Sequence, residues 1–305
     1  MFEKLPQKAR IVEVGPRDGL QNESTVLSTQ DKYKYIEMLA QAGLSSIEVT
    51  SFVSPKAIPQ MGDAKELFEL VKNNIKKTVN FPCLVPNMKG YESAKKSGVK
   101  EISLFSATSD SFTKKNINCD VNESFERMKE LAQAARQDGV RIRGYVSTAF
   151  GCPYEGKIPV SRLVEVVKEF FKLGVYEVSV GDTIGVATPK QVDGALKELT
   201  KDFDSAKLAM HFHDTRGMAL SNVLVALENG FNVFDSSSGG LGGCPYAKGA
   251  SGNVATEDIV YLLDSLGVGH GVDFKKLVEA SKYILEKLNK TSTSKYLNAY
   301  MAAGK

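Results

Sequence analysis

Five short segments repeat one pattern: Ala42-Gly43-Leu44, Ser97-Gly98-Val99, Asp138-Gly139-Val140, Leu173-Gly174-Val175 and Asn229-Gly230-Phe231 each set a glycine just before a strand-forming run. Glycine closes helices well because it adopts the left-handed conformation without steric penalty. The recurring stop therefore predicts a repeated unit of strand and helix. Candidate strands are Arg10–Val14, Ser46–Thr50, Val79–Val85, Glu101–Phe105, Arg141–Ser147, Glu177–Val180, Leu208–His213 and Asn232–Asp235. Between them apolar residues recur at helical spacing, as in Ile36, Leu39, Ala40 and Gly43, or Leu163, Val166, Val167 and Phe170.

Strands alternating with helices imply a parallel sheet, and eight such units imply an α/β fold closed as a (β/α)₈ TIM barrel. The competing architecture is an open doubly wound sheet. It usually carries Gly-x-Gly-x-x-Gly after its first strand, whereas here that strand runs into Gly15-Pro16-Arg17-Asp18-Gly19. No linker divides the 305 residues, so they read as a single catalytic domain. The barrel is expected over 8–270, with an additional C-terminal helix at 273–289 and a small polar tail over 291–305.

A barrel of this kind gathers the polar groups at the C-terminal ends of its strands around one mouth. Arg17 and Asp18 follow the first strand, Glu48 lies late in the second, Asp182 follows the sixth, and His211 and His213 lie late in the seventh. Residues i and i+2 of a strand point to one face, so the two imidazoles are able to share a metal ion. With Asp18 as a carboxylate ligand the set suits Mn²⁺, Co²⁺, Zn²⁺ or Mg²⁺, and Asn253 offers a further carbonyl oxygen. Two histidines merely hydrogen-bonded in the mouth is the plainer reading. A two-histidine, one-carboxylate set also serves non-haem iron oxygenases.

After the eighth strand comes Gly239-Gly240-Leu241-Gly242-Gly243-Cys244-Pro245-Tyr246, part of a stretch with six glycines between Gly239 and Gly252. Such a stretch reads as a mobile active-site loop around one thiol. Cys152 sits in the echoing Gly151-Cys152-Pro153-Tyr154 and is read as a buried small hydrophobe. Arg17, a permanent cation beside a carboxylate at a strand end, is suited to a developing oxyanion; a brace for the barrel mouth is the alternative.

Other classes are excluded by what is missing. A net charge of +3, spread along the chain, gives no nucleic-acid partner. No apolar run approaches the length that spans a bilayer, so no membrane partner is expected. There is neither a Gly-x-x-x-x-Gly-Lys-Ser/Thr phosphate loop nor a Gly-x-Ser-x-Gly elbow. The four cysteines are far apart and form no CxxC, which fits reduced thiols and a cytoplasmic protein.

Several motifs together carry a family resemblance over nearly the whole chain. They are IVEVGPRDGLQNE (Ile11–Glu23), SFVSPKAIPQMG (Ser51–Gly62), FTKKNINC (Phe112–Cys119), GCPYEGK (Gly151–Lys157), GDTIG (Gly181–Gly185), HFHDT (His211–Thr215) and Gly239–Asn253. The chain resembles the 3-hydroxy-3-methylglutaryl-CoA lyases of the metal-dependent TIM-barrel lyase and synthase group. The resemblance implies cleavage of that acyl-CoA to acetyl-CoA and acetoacetate, a route of leucine degradation. It implies a divalent cation, Mg²⁺ or Mn²⁺, on Asp18, His211, His213 and Asn253.

Further roles follow from the same resemblance. Arg17 would meet the thioester carbonyl, Cys244 would act as catalytic acid or base, and Asp18 or His211 would take the hydroxyl proton. Glu48 would support this group, and Gln21 and Asn116 would contact substrate. The resemblance also implies a homodimer; it does not locate the CoA nucleotide, for which Lys114, Lys115 and Asn116 are candidates only by their position after the fourth strand. Two other functions compete: a Claisen-type synthase joining acetyl-CoA to a 2-keto acid, and a non-catalytic acyl-CoA-binding barrel.

Overall fold

The computed structural model describes residues 4–75, 78–243 and 252–304. Its strands are β1 (Arg10–Glu13), β2 (Ser46–Ile47), β3 (Thr50–Ser51), β4 (Cys83–Leu84), β5 (Glu101–Ala107), β6 (Arg141–Ser147), β7 (Glu177–Asp182), β8 (Leu208–Phe212) and β9 (Val233–Ser236). All pair in parallel in the order β2-β1-β9-β8-β7-β6-β5-β4-β3. The two end strands are pieces of one stretch of chain. Glu48 N donates to Glu13 O on one side at 2.9 Å, and Val49 N to Pro82 O on the other at 3.0 Å. Thus β2 and β3 form one stave, interrupted at Glu48-Val49, and the sheet closes on itself. Among the described residues nine strands make eight staves of a TIM barrel.

The first stave ends in a single π-helical turn, Gly15–Gly19, whose Arg17, Asp18 and Gly19 amides all turn onto the Val14 carbonyl. Helices α1 (Thr29–Gln41), α2 (Ala64–Asn74), α3 (Met88–Ser97), α4 (Asp110–Ile117), α5 (Val121–Gln137), α6 (Val160–Lys172), α7 (Pro189–Leu199), α8 (Ala219–Glu228) and α9 (Thr256–Ser265) lie outside the sheet. Polar side chains start them. Ser28, Asn87, Ser109, Asp120 and Thr188 each accept from a backbone amide three residues on, satisfying donors that the first turn leaves free.

All five junction glycines have positive φ, from +68° at Gly139 to +94° at Gly43. The helical faces read from the sequence are the buried ones: Ile36 and Leu39 on α1, and Leu163, Val166, Val167 and Phe170 on α6. Phe170 meets Phe125 edge-on at 5.0 Å between ring centroids, which fixes α5 beside α6 over the sheet.

The C-terminal region differs from its reading as one helix and a tail. Helix α10 (Phe274–Leu288) packs on α1, and a further helix, α11 (Lys295–Ala302), follows it. Asp258 of α9 accepts from Ser294 Oγ at 2.7 Å and Tyr296 N at 2.8 Å, and Leu297 is fully buried. So short a helix gains its stability from docking rather than propensity, which is why pattern alone misses it. Among the described residues no helix is long and apolar enough to cross a membrane.

Candidate active site

The barrel mouth opens into a cavity of about 470 Å³ whose lining includes Arg17, Asp18, Tyr145, His211 and His213. Ligand atoms of Asp18, His211 and His213 all lie within 4.8 Å of one another. The π turn after β1 presents Asp18. His211 comes from β8, and His213 follows it, bridged to Asn253. The imidazole centroids are 5.3 Å apart. Asn253 Nδ2 donates to Asp18 Oδ2 at 2.9 Å and to Leu241 O at 3.2 Å. Asn253 Oδ1 and His213 Nδ1 are buried and have no hydrogen-bond partner among the described residues. Unmatched acceptors beside a carboxylate and two imidazoles are what a divalent cation satisfies, so the residues fit one.

The electrostatics set the charge state of each of these groups. Burial works to raise the Asp18 pKa, but the Arg17 guanidinium and then the two imidazoles outweigh it and hold the carboxyl at about 2. Burial, followed by the neighbouring His211, lowers His213 to about 4, so it is a neutral imidazole at physiological pH. At His211 burial pulls the pKa down, yet the hydrogen bond and charge of Asp235 reverse this and leave it raised. Asp235 is itself fully buried and held by Arg143 Nη2 at 2.7 Å, Arg143 Nη1 at 3.2 Å and Ser179 Oγ at 2.7 Å. Burial favours its neutral form, but Arg143 keeps its pKa far below the usual carboxylate range.

Arg17 is fixed from two sides. Its Nε donates to Glu48 Oε2 at 2.6 Å and its Nη1 to Asp18 Oδ1 at 2.5 Å. The guanidinium also lies 5.3 Å from the Tyr145 ring centroid, with Arg143 at 5.0 Å from the same ring. Held this way the cation faces the cavity with its side chain already ordered, ready to receive negative charge without reorganising.

A family model described as HMGL-like matches residues 8–284. The chain belongs to the HMGL-like family. The human protein named hydroxymethylglutaryl-CoA lyase, mitochondrial, is 52% identical over 295 residues, covering 97% of this chain and 90% of its own length. The crystal structure of hydroxymethylglutaryl-CoA lyase from Pseudomonas aeruginosa matches with a TM-score of 0.96 at 47% identity, covering 98% of this chain and 99% of that one. An HMG-CoA lyase from Acinetobacter baumannii, solved in complex with coenzyme A and 3-methylmalate, matches at a TM-score of 0.90 and 37% identity, over 96% of this chain and 95% of that one.

In this HMGL-like barrel most residues singled out from the sequence meet at the mouth. Asp18, His211, His213 and Asn253 converge, and Gln21 and Asn116 line the same cavity. Glu48 stands behind Arg17, fully buried, and touches the cavity only through it. Asp182 turns away, accepting from Val186 N and Ala187 N of its own loop at 2.9 Å each. Cys152 is buried and meets Ser109 Oγ at 2.9 Å. Lys115 Nζ sits 4.1 Å above the Tyr154 ring. Cys244 lies outside the described residues, next in sequence to Gly243, which lines the cavity.

Sequence reasoning missed Tyr145, Arg143, Ser179 and Asp235. A signal was present. Arg143 and Asp235 are charges in the middle of strands whose adjoining residues are apolar or small, and in a closed barrel such charges must find each other.

Proposed function

We propose that this protein cleaves 3-hydroxy-3-methylglutaryl-CoA to acetyl-CoA and acetoacetate with a divalent cation, Mg²⁺ or Mn²⁺, held by Asp18, His211, His213 and Asn253. The observation that carries this reading is the shared cavity: the Asp18–His211–His213 cluster and the Arg17 guanidinium line one space of about 470 Å³. When bound, the cation supplies Lewis acidity toward the substrate's hydroxyl and carboxylate. The A. baumannii relative, solved with coenzyme A, supports a CoA thioester as the substrate class.

The chain's own residues account for the remaining chemistry. Asp18 takes the proton of the tertiary hydroxyl, because His211 already carries its proton on Nδ1 toward Asp235 and keeps its Nε2 for the cation, and the hydroxyl oxygen becomes the ketone of acetoacetate. The C2–C3 bond breaks with its electron pair passing to the thioester as an enolate. Arg17 receives the enolate oxygen, while Glu48 and Asp18 keep the guanidinium in place. Cys244 delivers the proton that completes acetyl-CoA at C2. Val53, Ile58, Phe105 and Phe112 make part of the cavity wall apolar, which strengthens these charge interactions by limiting water.

The described cysteines, Cys83, Cys119 and Cys152, are free and buried, which supports the reducing cytoplasm as compartment. We place the protein as a homodimer, to be checked by light scattering. The deciding experiment supplies purified protein with 3-hydroxy-3-methylglutaryl-CoA and Mg²⁺. Acetoacetate is expected, lost with EDTA and restored by added Mg²⁺ or Mn²⁺. No acetoacetate, or a Claisen condensation of acetyl-CoA with a 2-keto acid instead, overturns the reading.

A further inference from the structure

One fully buried carboxyl group touches three segments that the site depends on. Glu13 ends β1, and its Oε1 accepts from Gly15 N at 2.8 Å and from Ser238 N at 2.9 Å. Its Oε2 accepts from Thr256 Oγ1 at 2.7 Å. Gly15 opens the π turn that presents Arg17 and Asp18. Ser238 opens the short turn that leads through Leu241 to Gly243 at the cavity edge. Thr256 opens α9, three residues beyond Asn253. None of these bonds touches the cavity, but along the chain from them lie Arg17, Asp18 and Gly243, which line it, and Asn253, which donates to Asp18.

The surroundings leave little freedom. A Cβ on Gly15 would lie 2.5 Å from Glu13 Oε1 and 2.4 Å from the Tyr35 hydroxyl, so only glycine lets the turn sit on the carboxyl. Tyr35 in turn is hydrogen-bonded to Ser238 Oγ. Thr256 Oγ1 continues to Ser236 Oγ at 2.8 Å. A second buried acid, Glu257, accepts from Gly239 N at 2.9 and 3.0 Å and from Ser281 Oγ of α10. Burial, working against the bonds from Thr256, Ser238 and Gly15, brings the Glu13 pKa up to about 7. Its protonated and ionised forms are therefore close in free energy near neutrality, and the acceptor geometry matters more than a full charge.

We infer that Glu13 is a positioning residue for the reaction: through Gly15, Ser238 and Thr256 it sets Asp18 against Asn253 and fixes the 238–243 segment that reaches the cavity edge. The role rests on the lyase reading for its effect on turnover, but its effect on the cation site stands without it. A carboxyl one methylene shorter cannot reach all three donors. A carboxamide keeps one oxygen for the two amides and meets the Thr256 hydroxyl with its nitrogen.

The test compares Glu13→Asp, Glu13→Gln and Thr256→Val. It measures Mn²⁺ affinity from the electron paramagnetic resonance of free Mn²⁺, kcat and KM for the acyl-CoA, and thermal stability. Glu13→Asp is expected to weaken Mn²⁺ binding by about ten-fold or more, as loss of supporting contacts around metal ligands does. Its kcat should fall by about 10²-fold while KM moves little, because misplacement of reacting groups acts on the chemical step. Glu13→Gln should keep Mn²⁺ affinity and kcat near those of the parent.

A Glu13→Asp protein with a lower Tm but unchanged Mn²⁺ affinity and kcat makes the residue purely structural and overturns the inference. So does a Glu13→Gln protein as impaired as Glu13→Asp, since charge rather than acceptor geometry would then be responsible. If Glu13→Asp does not fold, Thr256→Val decides, with weakened Mn²⁺ binding expected and an unchanged affinity overturning the inference. Should the parent protein make no acetoacetate while Glu13→Asp still loses Mn²⁺, the lyase reading fails and the positioning role remains.

Discussion

Asp235 stands behind His211, with its Oδ2 3.3 Å from the imidazole Nδ1. An ionised carboxylate only accepts, so Nδ1 carries the proton and Nε2 is left with its lone pair for a metal. The carboxylate is itself kept ionised by Arg143 and steadied by Ser179. Removing it frees both the tautomer and the ring. Asp235→Asn is expected to weaken Mn²⁺ binding by about 10–100-fold, read by direct titration. Ser179→Ala leaves the Arg143 contacts in place and should weaken it much less. Unchanged Mn²⁺ affinity in Asp235→Asn would remove Asp235 from the site.

Arg17 and Glu48 let activity and stability be separated. Arg17→Gln takes the cation from the cavity and leaves Glu48 buried without a partner, where burial already outweighs Arg17 and raises its pKa. Turnover is expected to fall by about 10²–10³-fold, the usual loss for an oxyanion donor. Stability should fall by about 3–5 kcal/mol, as for other broken buried pairs. The double variant Arg17→Gln/Glu48→Gln should regain much of the stability in urea unfolding and none of the turnover. Recovery of turnover in the double variant would show that Arg17 only braces the mouth.

The contrast between these pairs explains what was legible in the sequence. Asp18, His211 and His213 announce themselves because each lies near or just past the C-terminal end of a strand, and a barrel sends all such ends to one place. Glu13, Arg143 and Asp235 belong to the strands themselves, and their meaning depends on which side chain stands across the lumen or beneath a neighbouring turn. That information is in the register, not in the spacing. The broken second stave was hidden for a similar reason: Glu48 and Val49 follow a strand-like sequence, but their amides pair with different neighbours on either side. Helix α11 depends on Asp258, about forty residues earlier in the chain, so its own residues say little.

The junction glycines were legible, and they make unequal demands. Gly139 has φ +68°, and a Cβ there would meet nothing within 4 Å, so Gly139→Ala faces only the left-handed strain of about 1–2 kcal/mol. At Gly43, φ is +94° and a Cβ would fall 2.3 Å from the Gly271 carbonyl oxygen, in the connection between α9 and α10. Gly43→Ala must therefore displace backbone as well. Urea unfolding should rank Gly43→Ala clearly below Gly139→Ala. Equal losses would mean that the α1 junction is not tied to the C-terminal helices.

Glu257 offers a pH test of the buried acids that hold the Ser238–Gly240 turn. Burial, opposed by its bonds to Ser281 and Gly239 and reinforced by the charge of Glu13, raises its pKa to about 7. In the unfolded chain a glutamate titrates near 4.3, so between about pH 4.3 and 7 the folded state binds more protons. Stability from this group is thus complete in acid and is lost as pH rises through 7. His213, lowered to about 4, works in the opposite sense, adding stability as pH rises from 4 toward 6.5. Comparison with Glu257→Gln cancels that common contribution. Measured by urea unfolding in EDTA, the stability of Glu257→Gln relative to the parent should rise from pH 5 to pH 8 by up to about 3 kcal/mol. A difference that is flat, or that falls with pH, would show Glu257 to be ionised throughout, with its two bonds to Gly239 N supplying more than burial takes away.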